Sequence, residues 1–97
     1  MVTFSDLERL REWARATSRR VRVKFRRYPY TLVIDKMIRA EDPEGRTVPW
    51  HRAFGAKQPH QVLASFPIAR IEVVDKETGR REEINSLEEL FRRAGVI

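Results

Sequence analysis

From Arg20 to Arg26 the sequence alternates strictly between cationic and apolar residues. Such alternation is typical of a half-buried β-strand, because successive side chains point to opposite faces of a sheet. The apolar positions Val21, Val23 and Phe25 are therefore predicted to face a core. The cations are predicted to stand in a row on the other face: Arg20, Arg22, Lys24 and Arg26. This stretch predicts a sheet with one apolar and one basic face.

The row of cations suggests a polyanionic ligand, and the positive charge of the surrounding sequence supports the same interpretation. At a rise of about 3.3 Å per residue, side chains on one face lie about 6.6 Å apart, close to the phosphate spacing of an extended nucleic-acid strand. From Arg9 to Arg27 there are nine cations and one anion, a net charge of +8. Residues 61–97 carry a net charge of −1. The alternatives are a solvated basic face and the charge-rich composition of thermophilic proteins.

Capping motifs predict a helix at each end of the chain. Ser5 and Glu8 match the N-cap and N3 positions of a capping box, and the helix is expected to run to about Thr17. Its predicted apolar face is Leu7, Leu10, Trp13 and Ala14. Ser86 and Glu89 form a second capping box. The final helix is expected to end near Gly95.

The segment between the two helices is predicted to form strands and turns. Tyr30 to Glu41 fits one long strand or two short ones, and 42–45 (Asp-Pro-Glu-Gly) matches a type I turn. Residues 47–54 are predicted to form a strand, which Pro49 would restrict to a sheet edge or a bulge. Residues 62–74 and 81–84 are expected to be strands joined by a turn.

Together these elements predict one domain over residues 1–97 with an α+β fold. We expect an N-terminal helix, about five strands in a bent antiparallel sheet or a small, partly open β-barrel, and a C-terminal helix. No stretch approaches the 18 or more apolar residues of a membrane span, and there are no cysteines. A cytoplasmic protein without membrane contact is the expectation, with no cofactor.

The residue types favour binding of nucleic acid, RNA in preference to DNA, without catalysis. Arginine and lysine neutralise phosphates, and aromatic rings stack on bases. Arg20, Arg22, Lys24 and Arg26 are expected to track phosphates. The flanking cations are expected to widen the positive field: Arg9, Arg15 and Arg27. Stacking is assigned to Tyr28, Tyr30 or Trp50, and a terminal phosphate to His51 and Arg52. The alternative for 50–52 is a core tryptophan followed by two surface residues.

Two motifs with a basic strand between them resemble a small domain associated with RNA repair. They are 10–13 (Leu-Arg-Glu-Trp) and 47–52 (Thr-Val-Pro-Trp-His-Arg). That domain is proposed to recognise RNA ends bearing a cyclic phosphate, so the resemblance implies His51 and Arg52 as an RNA-end contact. The sequence departs from the family in Ala53, where an aliphatic residue is usual, and in the length that follows. Residues 66–71 (Phe-Pro-Ile-Ala-Arg-Ile) equally resemble the ending of WYL-type regulatory barrels.

Two further functions remain open. The domain could be an interaction subunit of a ribonucleoprotein or transcription complex, with a partner completing an edge strand at 48–54 or 62–74. It could also be a phosphodiesterase that uses His51 or His60 for acid/base chemistry. A metal site formed by those histidines with Asp35 or Asp42 matches no recognised ligand spacing.

Overall fold

The computed structural model describes residues 2–96 and contains four helices and six strands within that range. The helices are α1 (Phe4–Ala16), α2 (Trp50–Phe54), α3 (Pro59–Ser65) and α4 (Leu87–Arg93). The strands are β1 (Arg19–Phe25), β2 (Thr31–Ile34), β3 (Ile38–Glu41), β4 (Thr47–Val48), β5 (Ile68–Asp75) and β6 (Arg81–Ile84). The α+β class and both terminal helices are therefore confirmed.

The strands form one antiparallel sheet in the order β4-β3-β2-β1-β5-β6. β4 and β6 lie at its two edges, and no pairing between them closes the sheet within the described residues. Of the two predicted alternatives, the antiparallel sheet is therefore confirmed and no closed barrel forms among residues 2–96, and the sheet has six strands where about five were expected. The open sheet leaves one face free of helices.

The core lies on a single side of this sheet. Val21, Val23 and Phe25 of β1 are buried, as the alternation predicted. They form one apolar cluster with residues from all four helices: Leu7, Leu10, Ala53, Phe54, Val62, Leu63, Leu90 and Phe91. The helices therefore cover the apolar face, and the opposite face, here called the open face, carries mainly polar side chains.

Both terminal helices begin through capping, although the first starts earlier than predicted. Thr3 is the N-cap of α1, where its hydroxyl accepts the Asp6 amide and the Asp6 carboxylate accepts the Thr3 amide. The prediction of Ser5 as the N-cap is therefore wrong, because Thr3 and Asp6 supply the same motif two residues upstream. In α4, Ser86 is the N-cap and accepts the Glu89 amide, as predicted.

Two predicted strands contain helices instead. Only Thr47 and Val48 of the expected strand 47–54 pair in the sheet, and α2 begins directly after Pro49. In the expected strand 62–74, α3 occupies the first part and β5 begins after Pro67. Proline is common at the first residues of a helix because its missing N–H is unpaired there anyway. The expected edge strand at 48–54 is therefore limited to β4, and 62–74 supplies no edge, since β5 pairs on both sides.

Two irregularities in the backbone mark the end of β1 that leads into β2. The β1–β5 register shifts between Lys24 and Phe25, so that Ala69 has no partner in β1. Arg27, in the following turn, has a φ of 53°, in the left-handed region that non-glycine residues seldom adopt. No helix within residues 2–96 is long and apolar enough to cross a membrane.

Candidate nucleic-acid interface

The open face carries charges of both signs. Cross-strand register places six cations on it, namely Arg20, Arg22, Lys24, Arg39, Arg70 and Arg81. It also places four carboxylates among them, namely Asp35, Glu41, Glu72 and Glu83. The neighbouring strands thus bring anions to the predicted row of cations.

Asp35 and Glu41 hold three of the arginines by ion pairs. The Asp35 carboxylate accepts from Nε of Arg20 at 3.1 Å and from Nη1 of Arg39 at 2.9 Å. The Glu41 carboxylate accepts from Nη1 of Arg22 at 2.7 Å. Both carboxylates are almost fully buried, whereas the Arg22 and Arg39 side chains are about one-fifth exposed. Arginine stems lying across the strands explain why Val33, on the open face, is fully buried.

The lowered pKa of Asp35 reflects the hydrogen bonds that stabilise its charged carboxylate. Burial acts to raise that pKa, but hydrogen bonds from Arg39, the Met37 amide and Arg20 outweigh burial and lower the pKa from 3.8 to about 2. The carboxylate is therefore charged at neutral pH and keeps its arginines in place. Arg20 and Arg22 therefore mainly stabilise the sheet. Because Asp35 and Glu41 neutralise their charges, they attract an external phosphate less strongly than the predicted row of cations implied.

One group of exposed cations without ion pairs in the described chain lies at the end of the sheet where β1 leads into β2. Lys24, Arg26 and Arg27 are exposed, and none forms an ion pair with another described residue. The Tyr28 hydroxyl donates to the Ala53 carbonyl, which holds α2 against the turn after β1. Arg52, exposed and also without an ion pair among residues 2–96, therefore belongs to the same end. We call Lys24, Arg26, Arg27 and Arg52 the basic end.

The three predicted stacking residues are drawn into one aromatic cluster. Tyr28 stacks on Phe54 at a centroid distance of 5.7 Å and meets Tyr30 edge-on at 5.9 Å. Trp50 packs on Phe54 at 4.6 Å and donates its indole N–H to the Lys57 carbonyl. All three are half-buried. Their rings mainly fix the turn and α2, as expected for aromatic residues at the edge of a core.

The remaining predicted cations lie on the helical side. Arg9 and Arg15 project from α1, which packs on the apolar face of the sheet. Arg15 is paired with Glu12 at 2.5 Å, whereas Arg9 is exposed. Neither residue joins the open face, so the +8 stretch is divided between two sides of the domain. Periodicity could not reveal this division, because the turn at Thr17 and Ser18 decides it.

The two histidines lie on different helices in unlike surroundings. His51 is exposed on α2. His60, on α3, packs edge-on against Phe4 of α1 with a centroid distance of 6.1 Å, and its buried Nδ1 has no hydrogen-bond partner. No hydrogen bond joins them within the described part of the chain, and no group of three potential ligands there forms a metal site. The geometry offers no support for an acid/base pair.

A groove beside the basic end was not apparent in the sequence. It has a volume of about 570 Å³ and runs along the open face between two turns. Arg22, Lys24 and Arg70 line it from the sheet, and Pro29 and Pro43 line it from the turns. Arg70 lies opposite Lys24 as the last pair in the regular β1–β5 register, and the register shift begins at the next residue of β5, Ala69. The one signal in the sequence was the period-two pattern that places Arg70 and Glu72 on one face.

Comparison of the chain with known proteins leaves its relationships open. It matches no family model, no curated protein and no solved structure. The resemblance to an RNA-repair domain therefore stays a prediction. Any inference about the function of this domain therefore rests on the geometry of the basic end and the groove.

Proposed function

We propose that this domain is a non-catalytic nucleic-acid-binding module of the cytoplasm that takes RNA in preference to DNA. The observation that carries the proposal is the basic end, where Lys24, Arg26, Arg27 and Arg52 are exposed without carboxylate partners among the described residues. Cations that are not neutralised within the protein are free to replace counterions on a phosphate backbone. RNA is favoured because its recognition mostly targets single-stranded loops and ends, whose unpaired bases can lie on an open sheet face beside aromatic residues.

Removing two charges from the basic end is expected to weaken RNA binding and its salt dependence together. Each phosphate contact contributes a slope of roughly 0.7 to log K against log salt for a single strand. The double variant Lys24→Gln/Arg27→Gln should therefore lower the slope by about one to one and a half. The measurement is a titration of a labelled single-stranded RNA at several salt concentrations.

The matched control lies at the opposite end of the sheet. Lys76 and Arg80 are also one lysine and one arginine, both exposed without an ion pair in the described chain. The Lys76→Gln/Arg80→Gln variant should bind RNA nearly as the wild type does. Equal losses in the two variants would mean that net charge alone attracts RNA. A wild-type affinity independent of salt would reject the proposal and favour an acidic protein as the partner.

Recognition of a phosphate-bearing RNA end is a second candidate, favoured by one observation. His51 and Arg52 are adjacent and both exposed, while Ala53 and Phe54 of the same short helix are buried. Their side chains are thus free to donate hydrogen bonds to a terminal phosphate beside the Tyr28 turn. A charged hydrogen bond of this kind is worth about 1.5–3 kcal/mol.

Arg52→Ala is expected to discriminate between RNA ends. If Arg52 contacts a terminal phosphate, the variant should lose roughly ten- to a hundredfold in affinity for RNA with a terminal or cyclic phosphate. It should lose little for the same RNA ending in a hydroxyl. His51→Ala should show the same pattern with a smaller loss. Equal losses on both RNAs would indicate an ordinary backbone contact, which positions a strand without selecting its end.

A further inference from the structure

The groove beside the basic end has a shape and chemistry suited to one repeating unit of a polymeric ligand. Its sheet-side residues form a cross-strand row on the open face, with Thr31, Lys24 and Arg70 contributed by β2, β1 and β5. Its two walls are turns, one around Tyr28 and Pro29 and the other at Asp42 and Pro43. The turn at Asp42 is closed by a hydrogen bond from the Gly45 amide to the Asp42 carbonyl at 2.9 Å.

A β-bulge keeps the middle of the groove open. Lys24 pairs with Arg70 and Phe25 pairs with Ile68, so Ala69 is the extra residue in β5. Ala69 is exposed and lines the groove with a single methyl group. Bulges redirect neighbouring side chains and are frequent beside functional sites. This one leaves the small Ala69 exposed directly beside the Lys24–Arg70 pair, where it lines the groove.

Charge is distributed unevenly along the groove, which gives a ligand a direction. Lys24 has no ion-pair partner within residues 2–96, and the Arg70 side chain is 51% exposed although it pairs with Glu83 at 2.9 Å and with Glu72 at 3.9 Å. At the other side, the Asp42 carboxylate accepts the Arg46 and Glu44 amides and lies 3.5 Å from Nε of the exposed Arg46 side chain. Those amide hydrogen bonds lower the pKa of Asp42, so the group is an anion at neutral pH. One side of the groove thus attracts phosphate and the other repels it.

We propose that the groove receives one unpaired nucleotide of a single-stranded nucleic acid, an inference that rests on the proposed function and specifies its ligand. The phosphate contacts Lys24 and Arg70. The base lies toward Pro29 and Pro43, whose rings provide an apolar wall, and its N–H groups face the Asp42 carboxylate. A base within a duplex is covered on both faces by its neighbours, so only an unpaired base enters. The domain therefore selects single strands over duplexes.

Filling the groove without altering charge tests this selection. In Ala69→Leu the larger side chain occupies the space for the base, while every cation remains. Wild-type protein should bind a labelled oligouridylate more tightly than a blunt RNA duplex carrying the same number of phosphates. Ala69→Leu should weaken oligouridylate binding by roughly tenfold, because the base loses its apolar contact with the proline rings, and leave duplex binding unchanged. The control Ala64→Leu, at an exposed position of α3, should change neither affinity.

The outcomes separate this inference from the proposed function. Equal affinity for the two RNAs, or an unchanged oligouridylate affinity in Ala69→Leu, would overturn the nucleotide site and leave general RNA binding intact. Binding of neither RNA would overturn both. If Ala69→Leu melts earlier than wild type, Pro43→Ala replaces it, because Pro43 is exposed in a turn and its ring forms one wall. That variant should also weaken oligouridylate binding selectively.

Discussion

Val23→Asp is expected to unfold the domain at room temperature. Val23 is fully buried in β1 between Leu32 of β2 and Ile71 of β5. A carboxylate there would have no partner in the apolar cluster, and an uncompensated buried charge costs about 4–5 kcal/mol or more. A domain of this size has about 5–15 kcal/mol of stability in total. Loss of the far-ultraviolet circular dichroism spectrum, or of cooperative melting, would be the readout.

The adjacent residue provides the control for that substitution. Lys24→Asp introduces the same side chain into the same strand, but on the open face, where Lys24 is exposed opposite Arg70. Exposed substitutions usually change stability by about 0.5 kcal/mol or less, and a carboxylate beside Arg70 gains a partner. Lys24→Asp should therefore melt cooperatively close to wild type. Similar melting of the two variants would mean that the register of β1 is wrong by one residue.

Asp35→Asn is expected to lower the free energy of unfolding and to make it less dependent on pH in the acid range. The pKa of Asp35 is about 2 in the folded chain against 3.8 ordinarily, so the charged carboxylate contributes about 2 kcal/mol above pH 4. That contribution is lost as the pH falls from about 4 toward 2, because the unfolded chain binds the proton near pH 3.8 whereas the folded carboxylate remains charged until about pH 2. Denaturant unfolding at neutral and acid pH measures both effects.

The free energies of unfolding of Asp35→Asn and of the wild type should converge near pH 2, where the wild-type carboxylate becomes protonated. Glu77→Gln is the matched control, since Glu77 is exposed and has no ion pair within the described chain. It removes one carboxylate without touching Arg20 or Arg39. A wild-type acid profile that Asp35→Asn leaves unchanged would show that other carboxylates dominate the loss of stability in acid.

The parts of the fold that local patterns determine were predictable. The two-residue period identified β1 and its buried face, because one face of the strand must contact the helices. The turn at Asp42 and the N-cap at Ser86 followed from residue preferences that act over a few positions. These features depend on neighbours in sequence, which a single chain displays directly.

The parts that depend on partners distant in sequence were not predictable. The predicted strand over 47–54 is wrong for residues 50–54, because the spacing of Trp50, Ala53 and Phe54 fits a helical face once Pro49 begins it. The pairing of Arg22 with Glu41 crosses two strand boundaries, so it follows only from register. For the same reason the sequence showed the cations of the sheet but not the carboxylates that neutralise them.

The left-handed backbone at Arg27 has a consequence for how this chain would respond to selection. Glycine adopts that conformation without the steric cost that arginine meets, so Arg27→Gly is a stabilising change available in a single position. Ser18 has the same φ of 53° at the opposite end of β1, away from the basic end. A library selected for thermal survival alone should accumulate glycine at both positions. If selection also requires RNA binding, arginine should be kept at position 27, whereas serine at position 18 should still be replaced by glycine.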